Sequence, residues 1–361
     1  MSISPESQLA LMIRKFKRNR MAIIGLFLVV GMYLILIPAE FFAPYDLLNR
    51  HKGFNYVPPQ RVRFWDSEEG RLHLRPFVYG LEREFDSETL ELKYEVNREE
   101  KYFIKLFVHG DEYQWGPFAF DIHLFGVEKG GKLFLLGTDR QGRDMLSRIL
   151  IGGRVSMTVG LVAVVLSVAI GSTLGVISGY YGGFIDQIIQ RATEVSMSFP
   201  KIPIWMALAA AVPPEWNSVQ VYFMVTIIFS LILWARLARQ VRGKILALRD
   251  QDFVMAAKSI GSNTPRVLFF HLLPMTLSHI IVVGTLLIPH IIITETILSF
   301  LGLGIRPPMT SWGVLLREAQ RVSVLASHPW LTIPAIFVVI ALLGFNFLGD
   351  GLRDAADPYS T

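Results

Sequence analysis

The chain has 361 residues, 52% hydrophobic and only 18% charged, with a formal net charge of +5 and no cysteine. Soluble globular domains carry about 25% charged residues; a mean hydropathy of +0.42, with several apolar runs above the roughly 20 residues that cross a bilayer, excludes that class and indicates a polytopic membrane protein. The lack of cysteine excludes disulfides, thiolate nucleophiles and Cys-metal sites, and the pI of 9.3 does not argue for nucleic acid, because the basic residues cluster beside the apolar runs, where they set orientation.

Arg14, Lys15, Lys17, Arg18 and Arg20 directly precede the apolar run Met21–Ala43. That run is too long for a signal-peptide core and lacks a small-x-small cleavage site. Residues 1–20 therefore read as a cytoplasmic segment and 21–43 as the first transmembrane helix. Residues 44–135 differ in kind. They are charged, with acids and bases nearly balanced, and hold no membrane-length apolar run. Arg71–Val78, Tyr102–Val108 and Ala119–Phe125 alternate as strands do, while Gly110-Asp111 and Glu128-Lys129-Gly130-Gly131 read as turns. The expectation is a small β-rich insert on the external face. A loosely ordered loop is the alternative, and the aromatic content between Phe54 and Trp115, including Tyr56, Phe64, Trp65, Phe77, Tyr79, Tyr102, Phe103 and Phe107, argues against it. The balanced charge speaks against an electrostatic hold on the membrane surface.

Residues 136–361 hold five further spans. The second, Arg154–Ser178, carries Ala163, Ser167, Gly171, Gly175 and Gly179 at every fourth position, a stripe that lets another helix approach closely. Gly179-Tyr180-Tyr181-Gly182-Gly183 breaks the pattern. The third span is Phe184–Val212, kinked by Pro200 and Pro203, and Pro213-Pro214 opens an outer turn. The fourth is Val219–Leu237, the fifth Met275–Leu301 and the sixth Trp330–Leu348. The loop 238–274 between the fourth and fifth is strongly basic, so it is cytoplasmic by the positive-inside rule, as are both termini after an even number of crossings.

Within that loop, Phe253–Ile260 has helical spacing. Ala256 and Ala257 keep one side of the helix low, so a partner surface can come close. Gly261 can take the left-handed conformation that ends a helix, and Thr264-Pro265 reads as an N-cap followed by proline at the first helical position. The result is a short helix, a sharp turn and a new helix entering the membrane.

This spacing, from Asp252 through Ala256-Ala257 and Gly261 to His271-Leu272-Leu273-Pro274, resembles the cytoplasmic coupling loop of ABC importer permeases. Leu136–Asp144, Gly179–Gly183, Leu298–Gly304, Pro308–Gly313 and Gly349–Asp354 are similar to segments of the C-type permease of dipeptide/oligopeptide importers. Together they cover nearly everything outside 44–135. Met255 stands where the family carries a glutamate. The resemblance implies an all-α polytopic membrane protein of six transmembrane helices, the type I importer permease fold, with the β-rich insert between helices 1 and 2 and a five-helix permease core over 136–361. It further implies a bacterial inner-membrane location and a role as half of a peptide pathway. The expected partners are a second homologous permease, two ABC ATPase subunits, an external solute-binding protein and the lipid bilayer, with no nucleic acid. Asp252, Phe253, Met255, Ala256, Ala257, Gly261, His271 and Pro274 would form the ATPase-coupling loop.

The chain holds no phosphate-binding loop: Gly131-Lys132 and Gly243-Lys244 lack the upstream glycine and the following Ser/Thr. No cofactor is therefore expected in this chain, and ATP with Mg would be bound by the partner ATPases. Glu295 lies in an apolar span, where acids usually face a bundle interior or a water-filled cavity. With Ser299 and Pro200 it is a candidate for the translocation pathway or gate; bracing of Leu298–Gly304 is the equal alternative. His279 and His290 share a helix face but stand about 16 Å apart along it, too far for one metal ion, so no metal and no catalytic residue is expected. Asp139, Arg143 and Asp144 read as caps that orient the entry to the second span. Related permeases carry oligosaccharides or nickel, which leaves cargo open. A secondary transporter is the remaining class, though no inverted repeat is visible.

Overall fold

The computed structural model of the chain describes residues 8–66, 71–85, 92–127 and 130–357. They form two compact units. One comprises residues up to 31, 156–305 and from 338 onward; the other comprises 32–155 and 306–337.

The helices lie mostly in the first unit, with residues 32–42, 145–155 and 312–337 in the second. Helix α1 (Gln8–Arg18) and helix α2 (Arg20–Leu36) meet at 93°. Asn19 is the corner, its side-chain oxygen accepting from the backbone N–H of Met21 and Ala22 at 3.0 and 3.2 Å, which satisfies donors that the first turn of α2 leaves open. The apolar run expected to continue to Ala43 ends as a helix at Leu36, because Pro38 cannot continue it; a single turn, α3 (Ala39–Phe42), follows. Helix α4 (Met145–Tyr181) begins nine residues before the expected second span. The expected third span is not one helix. It is broken into α5 (Gly183–Ser198) and α6 (Lys201–Ala210), because Pro200 forces the residue before it, Phe199, into extended backbone with ψ 140°. Helix α7 (Ser218–Leu248) opens on a capping box of Asn217 and Gln220 and runs eleven residues past the expected end at Leu237. Next come α8 (Asp252–Ser259), α9 (Thr264–Arg266), a π-helical turn Val267–Leu272 and α10 (Leu273–Phe300). Two short helices, α11 (Trp312–Arg317) and α12 (Val322–Ser327), precede α13 (Ile333–Ala356). Among the described residues, four stretches are long and apolar enough to cross a membrane: Met145–Tyr181, Ser218–Leu248, Thr264–Phe300 and Pro329–Ala356; the bent pair α1–α2, counted as one span, makes a fifth.

The small-residue stripe of α4 lies on α7. The Ser167 hydroxyl donates to the Ser230 carbonyl at 3.3 Å. A Cβ at Gly171, Gly175 or Gly179 would come within 2.7, 2.6 and 2.9 Å of the carbonyl oxygens of Trp234, Ala238 and Arg242. Each step of four on α4 matches a step of four in the same direction on α7, so the two helices run parallel. The broken pair α5–α6 runs the other way along α7. Arg242 holds Asp186 with two bonds of 2.6 and 2.5 Å, the Ser196 hydroxyl reaches the Ile232 carbonyl at 3.4 Å, and the rings of Trp205 and Phe229 meet edge to face at 5.3 Å. Helix α10 crosses α4 antiparallel, Gly160 facing Ile292 and Gly284 facing Val168. Helix α13 returns antiparallel to α2, with Gly25 facing Gly344 and Gly351 facing Ala22.

The second unit carries a four-stranded antiparallel meander, β1 (Arg63–Asp66), β2 (Arg71–Phe85), β3 (Leu92–Trp115) and β4 (Phe118–Val127). The three alternating segments of the sequence lie inside β2, β3 and β4. Gly110-Asp111 is not a turn. It sits inside β3 at a register shift between His109 and Tyr113, and its glycine marks a close approach: a Cβ at Gly110 would lie 2.6 Å from the His123 ring. Of the other expected turn, Glu128 and Lys129 lie outside the described residues. Beside the sheet, Asp139 accepts from the backbone of Gln141 and Arg143 and pairs with both Arg143 and Arg148; the two arginines also reach Glu318 at 3.3 and 3.1 Å. Asp144 caps α4, accepting from the Ser147 N–H and hydroxyl at 2.7 and 2.8 Å. Asp144 is thus the cap that the sequence expected, whereas Asp139 and Arg143 lie before the helix and hold its entry through Arg148 and Glu318.

His51 is buried against the rings of Tyr45 and Phe134, with centroids 4.5 and 5.2 Å away. Burial, with Lys132 nearby, pushes its pKa down to about 4. A neutral His51 therefore stabilises this unit above about pH 6.5, and that contribution is lost as pH falls through about 4. Asp144 works in the opposite sense: burial raises its carboxyl to about 7, so its contribution is complete below about pH 4 and lost as pH rises through about 7. The two trends oppose each other across one window. His51→Phe is expected to unmask the Asp144 trend. Hydrogen-exchange protection of β2 and β3, corrected for the intrinsic pH dependence of amide exchange, should fall from pH 4 to 7 in that variant, against a flatter wild type, and unchanged protection in the variant would refute the assignment.

Candidate functional site

The expected coupling loop folds as a helix, a turn and a helix. Val254 and Ala257, three apart on α8, are buried in a cluster with Leu237, Val241 and Ile245 of α7, Val176 of α4 and Val267, Leu268 and Leu272 of the π turn. Lys258 stands 4.9 Å above the Tyr180 ring, and Arg249 donates to the Gly179 carbonyl at 3.3 Å. So α8 is seated on the ends of three long helices at once. Its outer side is apolar and open: Phe253, Met255 and Ile260 are 38%, 52% and 83% exposed, with Ala256 between them and Asp252 at the first turn.

The two alanines thus divide. The sequence reading set both on the low outer side. The structure turns Ala257 inward and leaves only Ala256 outside, because the helix must bury the Val254–Ala257 pair to stay seated. Gly261 ends α8 as expected. Its φ is +79°, its N–H bonds to Lys258 and the Ser262 N–H reaches back to Ala257 at 3.1 Å, the paired bonds of a Schellman cap. The N-cap of the next helix is Asn263 and not Thr264: its side chain accepts from the Arg266 N–H at 3.1 Å, and Thr264 already lies in the first turn. His271 is half-buried within the π turn, a feature the sequence reading missed. Pro274 explains it. Proline has no N–H, and its ring would strike the carbonyl four residues back; the wider turn lets the Leu273 N–H bond to Leu268, five residues back.

Glu295 and Ser299 come together about 45 Å along the helix axis from Thr264. Glu295 is fully buried and accepts from the hydroxyls of Ser156 and Ser299 at 2.9 and 2.6 Å, and the Ser299 oxygen in turn accepts from the Ile305 N–H at 3.1 Å. Gly302, φ +81°, closes α10 with a second Schellman cap, bonding to Ser299 while Leu303 bonds to Leu298 at 2.8 Å. Ser156 was the missed partner; its only sequence signal was a hydroxyl in an otherwise apolar span. Pro200 is elsewhere. It is exposed and lines a cavity of about 520 Å³ with Lys201 and Trp205 of α6, Arg236 of α7 and Leu287, His290 and Thr294 of α10. Lys201, Arg236 and His290 make that cavity basic, which the sequence did not reveal because they lie far apart along the chain.

Gly261→Val is expected to cost about 1–2 kcal/mol through left-handed strain, and Ala257→Arg to cost more by burying an unpaired charge. Both should loosen the π turn, read as faster hydrogen exchange over 264–273, whereas Ala256→Arg should leave it unchanged. Equal effects at Ala256 and Ala257 would contradict this seating.

The family described as "Binding-protein-dependent transport system inner membrane component" matches residues 171–359, and "N-terminal TM domain of oligopeptide transport permease C" matches residues 7–59. The glutathione transport system permease protein GsiD of Pectobacterium atrosepticum is 43% identical over 223 residues, 62% of this chain and 72% of that protein. The dipeptide transport system permease protein DppC of Alkalihalophilus pseudofirmus is 40% identical over 62% of this chain and 71% of its own length. The oligopeptide transport system permease protein OppC of Bacillus subtilis is 39% identical over 62% and 70%. The chain belongs to the binding-protein-dependent transport system inner membrane component family, as a C-type permease of the dipeptide/oligopeptide kind.

Proposed function

We propose that this chain forms half of the translocation pathway for peptides in an ATP-driven importer. The family works with ATPase and binding-protein partners; a second homologous permease and two ATPase subunits complete the assembly. This chain holds no nucleotide site, and the ATPases bind ATP and Mg. The observation that carries this is α8. It is an amphipathic helix with an open apolar crest outside and a seat on α4, α7 and α10 inside, so a push on the crest reaches three spans together. Relatives of this chain are named for glutathione, dipeptides and oligopeptides, and peptides are the cargo that unites those names.

The proposed topology has six spans. The parallel run of α4 and α7 supports it, since the chain must return across the membrane between them. The pair α5–α6, 26 residues that run antiparallel to α7, reaches about 39 Å at the helical rise, enough for the hydrocarbon core. Both termini and the basic loop 238–274 then lie in the cytoplasm, and the β-rich insert 44–135 lies outside, with 136–361 as the permease core. Glu295 and Ser299 brace the turn that ends α10. The cavity beside Pro200 faces the pathway, and its basic end suits a peptide carboxylate.

The purified chain should hydrolyse no ATP, and Ala256→Arg should leave the spans inserted while abolishing co-purification with the ATPases and peptide uptake. Normal association and uptake in that variant would overturn the role of α8. Replacing 50–129 with a short Gly/Ser linker should preserve insertion and ATPase binding but abolish stimulation by the loaded binding protein; intact stimulation would remove the insert from docking.

A further inference from the structure

Charge within a span is costly and marks a working site. On α7, Arg242 is answered by Asp186, and Arg239 reaches the Thr193 hydroxyl at 3.4 Å. Arg236, about one turn nearer the middle of the span, is different. It shares the cavity of about 520 Å³ with Lys201 of α6 and His290 of α10. All three are exposed, and neither Lys201 nor Arg236 pairs with an acid among the described residues. Every residue of the lining belongs to the first unit, and none is Asp or Glu.

Lys201 stands within the repulsive field of Arg236. Like charges repel more strongly as the dielectric falls, and an anion between them removes that cost. The remaining polar group of the wall narrows the kind of anion. The Thr294 hydroxyl donates to the His290 carbonyl at 2.6 Å, so its own oxygen is left as an acceptor. A peptide C-terminus brings both parts: a carboxylate for the two cations and, one carbon away, an N–H for that oxygen. Leu287, Ile293 and Trp205 supply an apolar wall for the side chain of the last residue. The volume lies within the range of about 300–1,000 Å³ typical of small-ligand sites.

We propose that this cavity is a carboxylate site, in which Lys201 and Arg236 hold the C-terminal carboxylate of a peptide in transit and so set a preference for cargo with a free carboxyl end. The inference deepens the pathway reading above and rests on it. Arg236 suits the role because its planar guanidinium can meet a carboxylate with two parallel bonds, while Lys201 adds a compact point charge. Both cations are exposed, so the hold is weak, as a site that must release its cargo requires.

The chain has no cysteine, so Ile293→Cys, at a position 40% exposed on the cavity wall, places a single thiol beside the cations. Its modification is followed by mass spectrometry of this chain, in the full transporter in nanodiscs, with an anionic and a cationic water-soluble methanethiosulfonate. The anionic reagent should react several-fold faster. Adding Lys201→Gln and Arg236→Gln should bring the two rates together, and Lys201→Arg should keep them apart. Alanyl-alanine should slow modification several-fold, and its C-terminal amide should not. Equal protection by the two, or none by either, overturns the site. Equal protection by inorganic phosphate would mean that any anion is held, which overturns the cargo preference. Peptide uptake is measured in parallel. Uptake that persists while the protection test fails leaves the pathway standing and removes this site alone. A thiol that neither reagent reaches, in a transporter that takes up peptide, places the cavity off the pathway and overturns the site too. Absence of peptide uptake by the unsubstituted transporter is failure of the pathway reading, and the site falls with it.

Discussion

The closeness of α4 and α7 is the constraint on which the helical unit depends. At Gly171, Gly175 and Gly179 no side chain fits between the helices. In lipid there is no hydrophobic gain from bringing apolar helices together, so association relies on such backbone approach and on polar contacts. Once α7 lies parallel on α4, the antiparallel course of α5–α6 follows, fixed by the Asp186–Arg242 pair at one end and Trp205–Phe229 at the other. The same contact carries the ends of α4 and α7 past the stripe together, and those ends make the seat for α8.

The loop between α7 and α10 is rigid for reasons that can be named. Two buried positions, a glycine in left-handed backbone and an asparagine cap fix α8 in one orientation. The π turn at Val267–Leu272 then joins it to α10 without a flexible linker. A widened turn is a rare local departure from the α-helical pattern, and here it lies between α8 and the helix that carries Glu295. The buried carboxylate at the far end is held by two hydroxyls and, through Ser299, fixes the backbone at Ile305. The two ends of one helix are thus defined by different means, a widened turn at one and a tight polar knot at the other.

Much of this was legible in the sequence, for identifiable reasons. Period-four glycines reported α4 packing because only one geometry uses them. Gly261 reported a helix end because left-handed backbone is what it supplies. The alternating runs reported β2, β3 and β4. What was not legible depended on contacts distant in sequence. Nothing local tells Ala256 from Ala257; the choice is made by Val254 and the cluster beneath. Gly110 reads as a turn until His123 is placed against it. Ser156 is one of several hydroxyls in a span until Glu295 arrives beside it. Pro200 was read as a kink in one helix, whereas its restriction of Phe199 splits the segment in two. The basic cavity joins Lys201, Arg236 and His290 from three helices, which no local pattern could join.

The entry and exit of the sheet-bearing segment are already fastened to each other. Tyr45 receives the Leu133 N–H, and the His51 N–H bonds to Gly142 at 3.0 Å. Residues 60–170 lie outside both family matches, so the sheet sits where the family pattern is silent. A segment closed at its base presents the spans with the same short connection whatever it contains. Enlarging it then costs mainly loop closure, about 0.6 kcal/mol for each doubling of length. The insert can in this sense grow or shrink without lengthening the connection that the chain makes between α2 and α4.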